Sequence, residues 1–204
     1  MKYKKLGVIG RFKPLHLGAA VMLDEMCINA DEVVIGVGSS NKYNFRNPFT
    51  FDETKEMIEA YLNPKYHNFS VVAIDDYAHI PEHKDGKKWV EEVVARMGDI
   101  DAFVTGNPYS ADLLRDRYDI IVSYEFIPKE KHVMISGTMV RNALATNHGW
   151  EKLLPVEVRD YIKKNQLDIR FRNEFGLETL ANTVYTDYRE KENVNAERVH
   201  TYEK

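Results

Sequence analysis

The segment Gly10-Arg-Phe-Lys-Pro-Leu-His-Leu-Gly18 carries the strongest chemical signal in the chain. It follows a short apolar run, Leu6 to Gly10, and precedes a stretch in which Val21, Met22, Met26 and Ile28 recur with helical spacing. A glycine at a strand-to-helix junction lets backbone come close to a phosphate. The helix N-terminus beyond it offers unpaired N–H donors, and His16 can donate to a phosphoryl oxygen. Taken singly, such a histidine more often caps or packs against its helix. A second segment, Ile135-Ser-Gly-Thr-Met-Val-Arg141, has serine and threonine at the opening of another helix and an arginine three residues after the threonine. That spacing puts Thr138 and Arg141 on one face near the positive helix end, which suits a polyphosphate. The plain alternative is an N-cap beside a solvated arginine.

Two other phosphate-binding signatures fail. No Gly-x-x-x-x-Gly-Lys-Ser/Thr sequence is present, which argues against a P-loop ATPase. Gly36-Val-Gly38-Ser-Ser-Asn41 lacks the third glycine of a dinucleotide fingerprint, which leaves a nicotinamide dehydrogenase as a weak third reading.

The elements that must position these segments alternate. Strand-like runs are Leu6 to Gly10, Glu32 to Gly38, Phe69 to Ile74, Ala102 to Thr105 and Ile120 to Tyr124. Between them lie helical stretches at Ala20 to Ile28, from Thr50-Phe-Asp-Glu53 with its capping-box spacing, at Lys88 to Met97 and at Ser110 to Arg117. This order predicts an α/β fold, a Rossmann-like doubly wound parallel sheet with helices on both faces, whose ligand site lies at the carboxyl ends of the strands. Gly137 to Leu144 and Pro155 to Lys164 are predicted helices, with Gly149 stopping the first and Pro155 opening the second. Residues 1–166, including their C-terminal helices as a helical appendage to the sheet, are expected to form the main domain and 167–204 a charged C-terminal extension. Its end, Asn182 to Lys204 with Tyr185 and Tyr188, is expected as a mobile tail, an exposed helix or an oligomer arm.

Together the two motifs resemble the signature pair of the adenylyltransferase superfamily, Gly-x-Phe-x-Pro-x-His-x-Gly-His early and Ile-Ser-Gly/Ser-Thr-x-x-Arg late. From Leu6 to Ile162 the sequence is most similar to archaeal-type nicotinamide-nucleotide adenylyltransferases. Gly38-Ser-Ser40, Arg46-Asn-Pro-Phe-Thr50, Thr105-Gly-Asn-Pro108, Trp150-Glu-Lys-Leu-Leu-Pro155 and Trp89 match as well. The resemblance implies that Gly10, Arg11 and Phe12 line the ATP site, and that His16, beside Gly18, binds phosphates. It implies that Ser136, Gly137, Thr138 and Arg141 hold the β- and γ-phosphates and that Arg46 reaches them. Ser39 belongs to the matching stretches. Trp89 would stack on the nicotinamide ring, while Asp76, Thr105, Gly106 and Asn107 would border the acceptor or adenine pocket. The implied substrates are ATP and nicotinamide mononucleotide (NMN) and the product NAD, with Mg²⁺ carried by ATP and no protein metal ligands. A homo-oligomer is implied by resemblance alone. A sibling transferase with another acceptor, such as FMN or phosphopantetheine, stays open beside this reading.

At the position of the motif's second histidine stands Ala19. A methyl group can neither donate a hydrogen bond nor carry charge, so one contact to the α-phosphate is expected to be missing. Three readings stand open at this point: a substitution that cripples turnover and keeps ligands, a natural divergence with compensation nearby, or a homologue that only binds and senses nucleotide.

Composition sets the surroundings. With 204 residues, 44% hydrophobic and 29% charged, the chain has enough material for one well-buried domain. A net charge of −4 gives no basic footprint for nucleic acid. Cys27 is the single cysteine, expected as a buried core thiol. No long apolar stretch suggests a signal peptide or membrane span, so the expectation is a cytoplasmic protein acting on small-molecule nucleotides.

Overall fold

The structure, a computed structural model, describes the backbone of residues 2–200 and side chains through Tyr185. Five strands, β1 (Tyr3–Gly10), β2 (Ala30–Gly38), β3 (Phe69–Ile74), β4 (Ala102–Thr105) and β5 (Asp119–Val122), form one parallel sheet in the order β3-β2-β1-β4-β5. Every neighbouring pair is parallel, with Leu6 aligned to Val33 on one side and to Ala102 on the other. The strand order reverses direction beside β1. A crevice therefore opens where the loops after β1 and β4 part, and the first motif occupies the β1 loop.

Helices cover both faces, as the alternation predicts. On one face α1 (Leu17–Asn29), α2 (Phe51–Leu62), α6 (Gly137–Ala145), α7 (Val156–Lys164) and α8 (Leu167–His200) share a core with the sheet that includes Leu6, Val8, Leu23, Met57, Val140, Trp150 and Phe171. On the other face α3 (Lys87–Met97) and α4 (Pro108–Leu114) enclose Val34, Ile74, Val93, Phe103 and Leu114. Cys27 is buried in the first core, as expected. The Thr50 hydroxyl accepts from Glu53 N–H while the Glu53 carboxylate accepts from Thr50 N–H, so α2 opens on the anticipated capping box. That cap contributes on the order of 1 kcal/mol.

Several boundaries differ from the sequence expectation. The fifth strand stops at Val122, and Ser123–Phe126 turns into the short helix α5. The apolar run Ile120 to Tyr124 holds no signal for that turn, because Tyr124 continues the hydrophobic pattern while its ring packs, tilted by 43°, against that of His132 instead. Helix α4 begins earlier than Ser110, at Pro108, because Asn107 accepts from Tyr109 N–H and proline suits the first turn. Helix α1 likewise begins at Leu17 rather than Ala20, with His16 as its N-cap. Gly149 does not end α6. Asn147 does, at φ 53°: its N–H donates to the Leu144 carbonyl and the next N–H, of His148, donates to the Ala143 carbonyl. That pair of bonds is a Schellman closure with asparagine in the left-handed position. Gly149, also left-handed, opens the 3₁₀ turn Trp150–Leu153.

The C-terminal segment is one long helix through His200, begun after Gln166 turns the chain at φ 54°. Leu167 and Phe171 enter the main core. Arg170 clamps α8 to α2 through a two-pronged ion pair with Glu53, at 2.5 and 2.7 Å. The Tyr188 side chain and residues 201–204 lie outside the described residues.

Candidate active site

The loop from Arg11 to His16 is held by buried anchors. Phe12 takes a left-handed backbone (φ 50°), which costs on the order of 1 kcal/mol for a residue with a Cβ, and its ring lies directly against Gly10. At 6% exposure it is an anchor beneath the loop, part of the core, and not an exposed wall. Lys13 is 1% exposed, its ammonium donating to the Ser39 carbonyl at 2.8 Å and so tying the β1 loop to the β2 loop. Burial, then neighbouring Arg11, lowers the Lys13 ammonium to about 8.

His16 caps α1. Its Nδ1 accepts from Ala19 N–H at 3.2 Å, so in the neutral ring the proton sits on Nε2, which remains a donor. Burial, followed by the positive charge of Arg141, pushes the imidazole down to about 4. It is therefore neutral at physiological pH. The cap reading holds for Nδ1, and it leaves Nε2–H as the donor of the same ring.

The two motifs meet. A Cβ on Gly18 would fall 2.7 Å from the Ile135 carbonyl oxygen and 2.9 Å from that of Val133, so the first turn of α1 lies flush against the backbone leading into the second motif. A Cβ on Gly137 would fall 3.0 Å from Arg141 Nη1 and 3.9 Å from His16 Cδ2. At Gly18 only glycine permits the approach, because the atoms met are backbone oxygens; at Gly137 a Cβ would crowd the movable end of Arg141. Ser136 caps α6 by accepting from Met139 N–H, and Thr138 accepts from Arg141 Nη2 at 3.2 Å. Arg141 is only 7% exposed, which excludes the solvated-arginine alternative.

Three cavities adjoin at Arg11. One, of about 230 Å³, is walled by Arg11, Arg46, Thr138 and Arg141, with Thr179, Asn182 and Thr183 of α8 closing it. Among the described residues no carboxylate lines it. Burial, then Arg11 and Arg46, lowers the Arg141 guanidinium to about 10, and burial with Arg46 lowers Arg11. Three mutually repelling guanidinium groups around one hollow have the charge and donor geometry that suits a polyanion. A second hollow runs over Arg11, Ser39, Arg46 and Asp76. The third, of about 400 Å³, is lined by Gly10, Arg11, Ser39, Asp76, Trp89 and Asn107, joined by Tyr77, His83 and Tyr109. It offers the flat aromatic and polar walls that a nucleoside or pyridine ring needs.

Ser39 donates to Asp76 at 3.0 Å, and Asp76 in turn accepts from Ala78 N–H at 2.8 Å, so this carboxylate is fixed at the cavity wall. Thr105 is buried and accepts from Asn107 N–H at 3.0 Å, shaping the loop after β4. A Cβ on Gly106 would meet the Ser123 hydroxyl at 2.8 Å, so that loop packs on the turn after β5. Among the described residues no cluster of three or more His, Cys, Asp or Glu is placed to hold a metal ion, and no helix is long and apolar enough to cross a membrane.

Sequence reasoning missed Lys13 and the α8 wall. Lys13 stood inside the first motif, and a lysine flanked by Phe12 and Pro14 was the available sign of burial. The uncharged polar residues Thr179, Asn182 and Thr183 recur at i, i+3 and i+4 within a helix of mixed apolar and charged residues, which marks one face.

The neutral state of His16 has a measurable consequence. Its ordinary pKa in the unfolded chain lies above the folded value, so the unfolded state binds the extra proton as pH falls from about 6.5 to about 4, and stability is lost over that window. Denaturant unfolding of the wild type and of His16→Asn, which retains a capping side chain, should show the variant gaining about 3 kcal/mol on the wild type between pH 7.5 and 4. Parallel curves would contradict a buried neutral imidazole.

The sequence model of the cytidylyltransferase-like family matches residues 8–143. The nicotinamide-nucleotide adenylyltransferase of Thermococcus onnurineus is 31% identical over 163 residues, covering 76% of this chain and 80% of that protein. The enzyme of the same name from Pyrococcus furiosus is also 31% identical, covering 76% and 81%, and that from Methanosarcina mazei is 30% identical, covering 81% and 91%. Among solved structures, a bifunctional NMN adenylyltransferase/ADP ribose pyrophosphatase from Francisella tularensis, complexed with AMP and a manganese ion, superposes with a TM-score of 0.64 at 20% identity. That match covers 92% of this chain and 55% of the other, and it shows the shared fold.

Proposed function

We propose, because this chain belongs to the cytidylyltransferase-like family and within it to the nicotinamide-nucleotide adenylyltransferases, that it transfers AMP from ATP to NMN, forming NAD and pyrophosphate. A 5′-phosphate oxygen of NMN attacks the α-phosphorus of ATP in line. The new P–O bond forms as the bond from the α-phosphorus to the oxygen bridging to the β-phosphorus breaks, and pyrophosphate leaves with that electron pair. A phosphate monoester is already largely ionised near neutral pH, so no protein base or nucleophile is needed. The work of the chain is to align two anions and to neutralise the charge that develops.

Arg11, Arg46, Thr138 and Arg141 serve as the polyphosphate cradle, with Ser136, Gly137 and Gly18 allowing the two helix N-termini to close on it. His16 donates through Nε2 to a phosphoryl oxygen. Gly10, Phe12 and Ser39 shape the ATP side, while Trp89, Asp76 and Asn107 bound the larger cavity, where Trp89 stacks on the pyridine ring; Thr105 and Gly106 do not line that cavity and act by shaping the loop that carries Asn107. Mg²⁺ enters with ATP as part of the substrate, consistent with cavity walls rich in guanidinium groups. The setting we propose is a cytoplasmic homo-oligomer working on small nucleotides.

The observation that carries this reading is the meeting of His16, Gly137 and Arg141 beside a cavity walled by Arg11 and Arg46. The test supplies MgATP with NMN, FMN or phosphopantetheine, repeats the panel with CTP, and follows pyrophosphate release. NAD should form with ATP and NMN fastest of all pairs. Faster release with another acceptor would move the chain to a sibling transferase, and nucleotide binding without release, in the Ala19→His variant as well, would make it a sensor.

A further inference from the structure

Helix α8 lies beyond the stretch of chain matched by the family, residues 8–143, yet it closes the arginine-lined hollow. Thr179 is 4% exposed, and its hydroxyl is buried with no hydrogen-bond partner. One turn later on the same face, the Thr183 hydroxyl donates to Asn142 Oδ1 at 2.9 Å, tying α8 to the residue next to Arg141. A buried hydroxyl left unpaired destabilises the free protein by its lost hydration. Thr179 lines a cavity whose other walls, among the described residues, carry three guanidinium groups and no carboxylate.

We infer that Thr179 is a polyphosphate ligand: its hydroxyl donates to a terminal phosphoryl oxygen of the nucleotide held by Arg11, Arg46 and Arg141, making the C-terminal helix the fourth wall of that subsite. A phosphoryl oxygen is an acceptor with spare lone pairs, the complement of an unspent O–H donor. The inference deepens the adenylyltransferase reading and draws on it only for the identity of the anion.

Thr179→Val keeps the branched shape and removes the hydroxyl. Two effects of opposite sign should follow. The free variant melts at or above the temperature of the wild type, since an unpaired buried polar group is gone, while ATP binds about tenfold more weakly. Calorimetry with ATP and with inorganic tripolyphosphate should give the same loss for both, with NMN affinity unchanged and Thr179→Ser close to wild type. Wild-type affinity for both polyanions in Thr179→Val would overturn the inference, as would a wild type that binds ATP and ignores tripolyphosphate. Thr179-dependent tripolyphosphate binding in a protein that makes no NAD would uphold the ligand and remove the adenylyltransferase reading instead.

Discussion

Ala19→His raises the rate of NAD formation by about 10²–10³-fold, the typical worth of one donor aimed at charge developing in a transition state. Residue 19 is the third residue of α1, and its backbone N–H is already bonded to His16. The wild type thus presents helix N-terminus, His16 and the arginines, and lacks only a side-chain donor at this turn. ATP affinity measured by calorimetry should change little, because the cradle of Arg11, Arg46 and Arg141 is untouched. The gain therefore belongs in kcat rather than KM, as expected of an interaction made mainly in the transition state. Equal rates in the two proteins would mean that another group already supplies this donor.

Arg141→Met has the largest expected loss, about 10³-fold in kcat/KM for ATP, in keeping with removal of an arginine that neutralises a transferring phosphoryl group. It also separates function from stability. Arg141 is buried, faces Arg11 and Arg46, and its guanidinium is held down to about 10. The sign follows from the linkage: the folded protein disfavours this charge relative to the unfolded chain at every pH below that value. A thioether of similar reach relieves the repulsion, so the variant should melt higher than the wild type in the absence of ligand. Tripolyphosphate should raise the wild-type melting temperature and leave that of Arg141→Met nearly unchanged. A variant with lower stability and unaltered ATP kinetics would place Arg141 in the core as a structural residue only.

The sheet was legible because each strand is a short apolar run closed by a turn or cap, and Thr50 with Glu53 announces its helix through side chains that bond locally. The candidate site was legible for a different reason. Its glycines, histidine and arginine fall at helix N-termini, where the chemistry depends on position along the chain. What escaped depended on tertiary approach. Lys13 carries only the hint of its neighbours Phe12 and Pro14, and its burial is settled by the approach of the Ser39 carbonyl, twenty-six residues away in sequence. Thr179 gains its meaning only when Arg170 and Thr183 pin α8 across α2 and α6. The end of α6 was misplaced to Gly149 because glycine is the commoner left-handed residue, whereas Asn147 adopts that conformation here.

The contact of Gly18 with the carbonyls of Val133 and Ile135 joins segments more than a hundred residues apart in sequence. Such a contact closes a long loop and is entropically among the last to form as a chain condenses. Neither half of the polypeptide holds a complete anion receptor by itself. Nucleotide is therefore a ligand of the finished protein alone, and by mass action it draws incompletely folded chains toward the native state. Saturating ATP should protect the segment between the two motifs from proteolysis more than any other part of the chain.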